Sequence, residues 1–363
     1  MSVLMNNSLD NYIITHSGVV VKVKDEEKKE KAFTKWTEKK KQNTKIARKL
    51  LKLSQLCEDM AETAQEEQRD KDALILRANA EIYKKRSYRM KECARFVTFN
   101  ICPECNRSIG SSATLCRDRV CPTCAWRLSA QQSAEMLQTL AYITDIDEYT
   151  AVFLTLTVQN CDVNQLAPTL EMMSSAWHRM LARKKNKEII AGSARSVEIT
   201  YNHKANTFHP HFHAILLLEN CSMTMGELNL YFNKQWQSAA RLIYQPITDL
   251  RAIENKKLLE NNTSDAEKYK NAILETFKYT IKDDTLAEMP LSTFRYYIDG
   301  IQNKRLVSYT GIIKEARTKL EFSEELQDEQ EIKKCDECST EMISAVYRWS
   351  FRHNTYKRFL EYL

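Results

Sequence analysis

Between residues 150 and 282 the apolar positions switch repeatedly between strand-like runs and helical spacing, and each switch predicts a new element. Val152-Phe-Leu-Thr-Leu-Thr-Val158 is rich in β-branched and aromatic residues and predicts a buried strand. A helix is expected from Leu166 to about Lys185. A second strand follows at Ser196-Val-Glu-Ile-Thr-Tyr201, then a turn from Asn202 to Phe208 and a third strand from His211 to Leu218, the last two forming a hairpin. Met225 to Leu242 reads as helix, Gln245 to Ile253 as strand and Ala266 to Lys282 as helix. The order β-α-β-β-α-β is the split βαβ, ferredoxin-like arrangement, an α+β class with a mainly antiparallel sheet and helices on one face.

The flanks have a different texture. After a lead-in of about 25 residues, Leu50, Leu51, Leu53 and Leu56, then Ala61 to Tyr83, keep helical spacing in a charged background, predicting a long helix or helix pair. From Cys93 to Cys124, Cys, Pro, Gly and Ser interrupt any periodicity, as in a loop region organised by metal, and Trp126 to Ala141 resumes a helical pattern. At the far end Tyr347, Trp349, Phe351, Tyr356 and Phe359 interleave with Arg348, Arg352, Lys357 and Arg358. That stripe reads first as a packed amphipathic helix and second as a surface that stacks bases and grips phosphate. The expected divisions are a helical, basic region 1–92, a Cys-rich zinc-binding segment 93–130, a central domain 145–320 and a C-terminal helical extension 321–363.

Composition narrows this picture only in part. The 363 residues suffice for more than one folding unit. Lys+Arg 54 against Asp+Glu 48 gives +6, which permits an anionic partner without requiring one. The positive charge is concentrated between Lys22 and Lys52 and again from Arg179 to Lys187. With no run near ~20 apolar residues and no signal-like N-terminus, a soluble cytoplasmic protein without a membrane partner is expected.

The richest chemistry lies in His209-Pro-His-Phe-His213. Alternate strand residues share a face, so His209, His211 and His213 converge while Phe212 points the other way. Burying three uncharged imidazoles requires partners, and a divalent metal is the simplest common one. Glu198, on the paired strand, could complete the site. A carboxylate with two imidazoles and open positions suits Mg²⁺ or Mn²⁺ better than a closed tetrahedral zinc. A solvent-facing Glu198 is the alternative on spacing alone.

Farther along, Glu275, Tyr279 and Lys282 are spaced to share one face of a helix. A phenol with an unperturbed pKa of ~10 needs a nearby cation to act as a nucleophile. Lys282 could supply that cation, and a carboxylate one turn away could act as general base. Alone the pattern is weak, since surface helices carry such combinations by chance. Eleven cysteines, mostly in close pairs in a large chain, favour metal over disulfides, and Cys102-Pro-Glu-Cys105 with Cys121-Pro-Thr-Cys124 has zinc-knuckle spacing.

Phe153-Leu-Thr-Leu-Thr157, Glu198-Ile-Thr-Tyr-Asn202, His209-Pro-His-Phe-His213, Lys278-Tyr279-x-x-Lys282 and Tyr309-Thr-Gly-Ile-Ile-Lys-Glu315 occur here in one order. In that order they resemble the rolling-circle replication initiators of small plasmids from Gram-positive bacteria, members of the HUH endonucleases. The resemblance runs from about Cys93 to Lys319. It favours His211 and His213, which flank the bulky Phe212, as ligands, and makes His209 a second choice. It implies an HUH-type sheet and a metal-dependent transesterification on single-stranded or extruded hairpin origin DNA. Tyr279 would form a 5′-phosphotyrosine link, and Glu275 would activate water at termination. It also implies a host helicase and DNA polymerase as partners, and leaves self-association open. Among cysteines, the family pattern resembles Cys93, Cys116, Cys121 and Cys124 as one zinc quartet. Cys102 and Cys105 would then be free to pair with Cys335 and Cys338 in a second four-thiolate site, leaving Cys57, Cys161 and Cys221 as ordinary thiols. The rival functions are an HUH transposase or relaxase, and a zinc-stabilised DNA-binding regulator without catalysis.

Overall fold

The computed structural model describes residues 12–14, 20–22, 26–105, 107–143, 146–219, 221–253, 269–278, 280–322, 334–335 and 337–359. The chain divides into two compact units, one made of 1–125 with 326–363 and the other of 126–325.

The first unit starts with a small antiparallel pair, β1 (Tyr12–Ile14) and β2 (Val20–Lys22). The expected helix pair follows as α1 (Glu26–Glu66) and α2 (Asp70–Glu92). Ile46, Leu50, Leu53, Cys57, Ala61 and Ala64 on α1, and Ala73, Ala80, Tyr83 and Met90 on α2, are buried. Their spacing of three, four or seven residues makes one apolar seam on each helix. Two buried hydroxyls span the seam, Ser54 donating to the Ala80 carbonyl at 2.8 Å and Ser87 to that of Ala47 at 2.7 Å, which fixes the antiparallel register. β3 (Phe96–Ile101) and β4 (Ser108–Ala113) then form a hairpin.

A helix α3 (Pro122–Tyr142) begins at the end of this unit, with Pro122 in the first helical position, where its missing N–H costs nothing. The second unit is the expected split βαβ: β5 (Thr150–Thr157), a short β6 (Cys161–Asp162), α4 (Leu166–Leu181), α5 (Lys184–Ile189), β7 (Ile190–Asn202), β8 (Thr207–Leu218), α6 (Met225–Ala240) and β9 (Thr248–Ala252). α6 starts at a Thr224/Glu227 capping box, each side chain satisfying the other's backbone N–H. α7 (Lys270–Thr276), α8 (Asp283–Glu288), α9 (Leu291–Ile301), β10 (Val307–Thr310) and α10 (Gly311–Lys319) follow. The sheet runs β9-β5-β8-β7-β10 with every pairing antiparallel, and β6 adds to the start of β8. The class is α+β.

The layering differs from the expectation of helices on one face. Phe212 meets Trp177 of α4 and Trp236 of α6, with ring centroids 6.2 and 5.8 Å away. On the opposite face Ile215 and Leu217 pack with Met136 and Leu140 of α3, Ile273 and Phe277 at α7, and Ile313 of α10. The uninterrupted run Ala214–Leu218 is buried on both faces because both are covered, whereas one bare face would have given alternation. The dense basic cluster is also partly structural. Arg179 donates to the Ala239 carbonyl at 2.9 Å, and Arg183 to the Gln235 and Ser238 side chains at 2.5 and 2.9 Å, tying the end of α4 to α6.

Two helix expectations are corrected. The helix expected to reach Lys282 stops at Thr276. Ser196 Oγ of β7 donates to the Thr276 carbonyl and the Ile199 N–H to the Thr280 carbonyl at 2.7 Å, so tertiary bonds replace helical ones at these carbonyls. The C-terminal extension is not helical where described. β11 (Ile343–Ser350) and β12 (Thr355–Arg358) join β3 and β4 in a sheet ordered β12-β11-β3-β4. Ala345, Tyr347 and Trp349 are buried while Ser344, Val346 and Arg348 are exposed, a period of two rather than 3.6. Among the described residues no helix is long and apolar enough to cross a membrane.

Candidate metal centre

Register builds this site. On β7 and β8 Glu198 is directly paired with His211, and Ser196 with His213, while on the other side of β8 Thr155 of β5 faces His213. The three side chains Glu198, His211 and His213 stand on one face, all buried, with one ligand atom each lying within 4.8 Å of the others. Glu198 Oε2 is 3.0 Å from His211 Nε2 and 2.9 Å from His213 Nε2.

Each imidazole is held from behind. His211 Nδ1 lies 3.3 Å from the His209 carbonyl and His213 Nδ1 3.2 Å from Thr155 Oγ1, and Phe153 stacks on the His213 ring at 5.4 Å. With both Nδ1 atoms occupied, both Nε2 atoms turn to Glu198, the outer-shell arrangement that orients metal-binding histidines. A buried set of two nitrogens and one carboxylate oxygen fits a divalent cation, with further positions left for water or a phosphate oxygen. Burial acts to raise the Glu198 pKa, but hydrogen bonds from His211, His213 and Lys278 outweigh it and hold the carboxyl well below its ordinary range.

His209 shares the strand face but not the cluster. It is half-buried, and burial followed by the His211 charge lowers its pKa. It lines an open cleft of about 490 Å³ with Asn160, Thr200, Tyr201, Asn202, His203 and Lys204.

The end of α7 supplies a second carboxylate and a cation. Glu275 Oε1 is 3.7 Å from His213 Nε2, and Lys278 Nζ bridges Glu275 Oε1 at 2.5 Å and Glu198 Oε2 at 2.6 Å. Desolvation opposes the Lys278 charge, yet these two carboxylates raise its pKa. Lys278 is the cation that the fold brings to Glu198 and Glu275, whereas the sequence had pointed to Lys282. Lys282 is exposed at the head of α8, because the helix that was to align it with Glu275 has already ended. The signal was present, since Lys278 is three residues from Glu275 and adjoins Tyr279. Tyr279 itself lies outside the described residues.

The cysteines gather into two groups. Cys93, Cys116, Cys121 and Cys124 are all buried, with sulfurs 3.6 Å apart for Cys93 and Cys124, 3.7 Å for Cys116 and Cys124, and 3.5 Å for Cys93 and Cys121. The Arg117 N–H donates to Cys124 Sγ at 3.2 Å, and Lys40, fully buried, donates to the Cys93 carbonyl at 2.5 Å. A buried ammonium beside four sulfurs suits a thiolate cluster, although burial lowers its pKa to about 8. Cys102, Cys105, Cys335 and Cys338 form the second group, so the two Cys-Pro-x-Cys knuckles do not pair with each other. Of the arginines in this region, Arg107 pairs with Glu337 at 3.1 Å, while Asp118 pairs with Arg86 at 2.8 Å.

Comparison with known proteins adds the following. The profile of the replication protein family Rep_1 matches residues 109–357. A protein rep from Bacillus sp is 30% identical over 273 residues, covering 70% of this chain and 86% of the relative. A protein rep from Bacillus amyloliquefaciens is 30% identical over 265 residues, covering 70% and 78%. A replication protein from Staphylococcus aureus is 29% identical over 218 residues, covering 56% and 88%. No solved structure matches.

Proposed function

The chain belongs to the Rep_1 replication-protein family, and from that premise we propose that it initiates rolling-circle replication of a plasmid by nicking origin DNA at the Glu198–His211–His213 centre. The observation that carries this reading is the buried two-imidazole, one-carboxylate cluster with Lys278 and Glu275 at its edge. Two buried imidazoles, each oriented from behind and both facing one carboxylate, form a donor set that a divalent cation can occupy, and a cation so held can assist phosphoryl transfer.

His211, His213 and Glu198 would hold Mg²⁺ or Mn²⁺, which when bound draws charge from the scissile phosphate. The chain's own groups then have distinct tasks. Tyr279 is the nucleophile: its phenolic oxygen bonds phosphorus, the 3′ oxygen leaves with a proton, and a 5′-phosphotyrosine link remains beside a free 3′-OH for the polymerase. Lys278, already on the Glu198 carboxylate, offers a cation to the phenolate or to the phosphate oxygens. Glu275 is the base that activates water when the link is resolved. The residues before and after Tyr279 in the sequence are tied to β7, Lys278 through the Glu198 side chain and Thr280 through the Ile199 N–H. This supports Tyr279 over Tyr296 or the buried Tyr297. The Cys93, Cys116, Cys121 and Cys124 quartet would hold a structural zinc.

Nicking of supercoiled origin-bearing plasmid tests the reading. Mn²⁺ should support nicking, a chelator should stop it, and His211→Ala or His213→Ala should remove it while the protein still binds DNA. Glu275→Gln should leave the first nick and slow release of the product. Binding without nicking under any metal would leave a regulator.

A further inference from the structure

The second cysteine group sits at one end of the sheet β12-β11-β3-β4. Cys102-Pro-Glu-Cys105 makes the turn between β3 and β4, and Cys335-Asp-Glu-Cys338 leads into β11. Because Ile101 pairs with Ile343 across β3 and β11, both turns emerge side by side. The sulfurs of Cys102 and Cys338 are 3.4 Å apart, those of Cys105 and Cys335 3.5 Å, and those of Cys105 and Cys338 4.0 Å. Zinc–sulfur bonds of about 2.3 Å in a tetrahedron set sulfurs ~3.8 Å apart, whereas a disulfide needs ~2.05 Å.

The backbone is arranged for thiolates. The N–H groups of Glu104 and Cys105 point to Cys102 Sγ, that of Arg107 to Cys105 Sγ and that of Thr340 to Cys338 Sγ. The first turn is closed by the Cys102 N–H on the Arg107 carbonyl at 2.8 Å. The second is closed by the Cys335 N–H on the Thr340 carbonyl at 2.9 Å. Arg107 and Glu337 link the turns at 3.1 Å, and Ile109 and Met342 pack beneath.

We propose that Cys102, Cys105, Cys335 and Cys338 bind one zinc ion, a second site distinct from the quartet around Cys93, and that this ion fastens the C-terminal strands β11 and β12 to β3. Four soft thiolates at tetrahedral spacing favour zinc or iron over hard ions such as Mg²⁺ and Ca²⁺, and zinc is the one that brings no redox chemistry. Binding replaces the four thiol protons with Zn²⁺, leaves a centre of charge −2 and requires no oxidant. Residues 126–325, the whole second unit, lie in the sequence between the two turns, so the ion closes a loop of more than two hundred residues. Closing a loop that long removes considerable freedom from the unfolded chain. The proposal is independent of the nicking reading, and its test needs no DNA.

Metal analysis of the full-length protein is the direct test. Cys335→Ser with Cys338→Ser should carry one zinc fewer per chain than the wild type. Hydrogen exchange should then lose protection over 343–358 while the strands of the second unit keep theirs. For a variant that does not fold, cobalt reconstitution of the chelator-stripped wild type should give the ligand-field bands of tetrahedral thiolate cobalt for two ions, and for one after Cys338→Ser alone. Equal zinc in variant and wild type, iron in place of zinc, or disulfide-linked Cys102 and Cys338 in alkylation mapping would each overturn the proposal.

Discussion

Glu198 and His211 face each other as directly paired residues of two antiparallel strands, with Oε2 and Nε2 3.0 Å apart. Strand register, not loop conformation, therefore sets the distance between these two side chains. A one-residue slip would turn the side chains of one strand to the other face. Thr155 extends the same logic to the third strand, since its hydroxyl orients His213 from 3.2 Å. Thr155→Val keeps the shape of the side chain and removes that contact. Mn²⁺ affinity measured by titration calorimetry should fall by about 10- to 100-fold with the fold intact. Unchanged affinity would show that Phe153 stacking alone orients the ring.

Lys278 competes with any divalent cation for Glu198 Oε2, from which its ammonium is 2.6 Å away. Lys278→Met should therefore bind Mn²⁺ more tightly than the wild type, yet nick more slowly at saturating metal, because the cation that favours phenolate or phosphate charge is gone. Weaker Mn²⁺ binding in this variant would assign Lys278 to the support of the site rather than to the chemistry.

The acid limb of stability carries the signature of Glu198. Burial works against its charge, but the bonds from His211, His213 and Lys278 depress its folded pKa below the unfolded 4.5. A carboxyl depressed in this way contributes stability that is fully present above the unfolded value and is lost as pH falls through the folded one. Metal-free wild type should lose stability below about pH 4.5 more steeply than Glu198→Gln, as read from urea midpoints at successive pH values. Parallel curves would mean that the carboxylate is no better held in the fold than in the open chain.

Two glycines should respond to alanine with opposite signs. Gly311 heads α10 with φ +56°, and a Cβ there would stand 1.9 Å from the Ala191 carbonyl oxygen on β7. Gly226, in the first turn of α6, would meet nothing within 4 Å. Gly311→Ala should cost more than ~1 kcal/mol, whereas Gly226→Ala should be neutral or stabilise by up to ~1 kcal/mol. Thermal unfolding of the two variants checks both. A harmless Gly311→Ala would mean that β7 and α10 can separate at that point.

Much of the second unit was legible because its central strands carry apolar and β-branched stretches, and the alternation along β7 and β8 also orients His211, His213 and Glu198. The face that His211 and His213 share follows from a period of two. What was not legible depended on partners elsewhere in the chain. The helix bearing Glu275 ends at Thr276, where Ser196 and Ile199 capture the Thr276 and Thr280 carbonyls, and no local pattern announces that. With that early end, Lys278 rather than Lys282 stands beside Glu198. The coverage of both sheet faces was implicit in the unbroken run Ala214–Leu218. The C-terminal strands were a misjudged period, since Ala345, Tyr347 and Trp349 alternate with Ser344, Val346 and Arg348 as plainly as any strand.

Mapping the covalent link to DNA tests the central claim most directly. The protein is incubated with Mn²⁺ and a labelled single-stranded origin oligonucleotide, digested with protease, and the nucleotide-bearing peptide sequenced by mass spectrometry. The account predicts one adduct, on Tyr279, formed only with metal, absent from Tyr279→Phe and from His213→Ala, and retained in Glu275→Gln. An adduct on another residue, or one that forms in the His213→Ala protein at the wild-type rate, would contradict it.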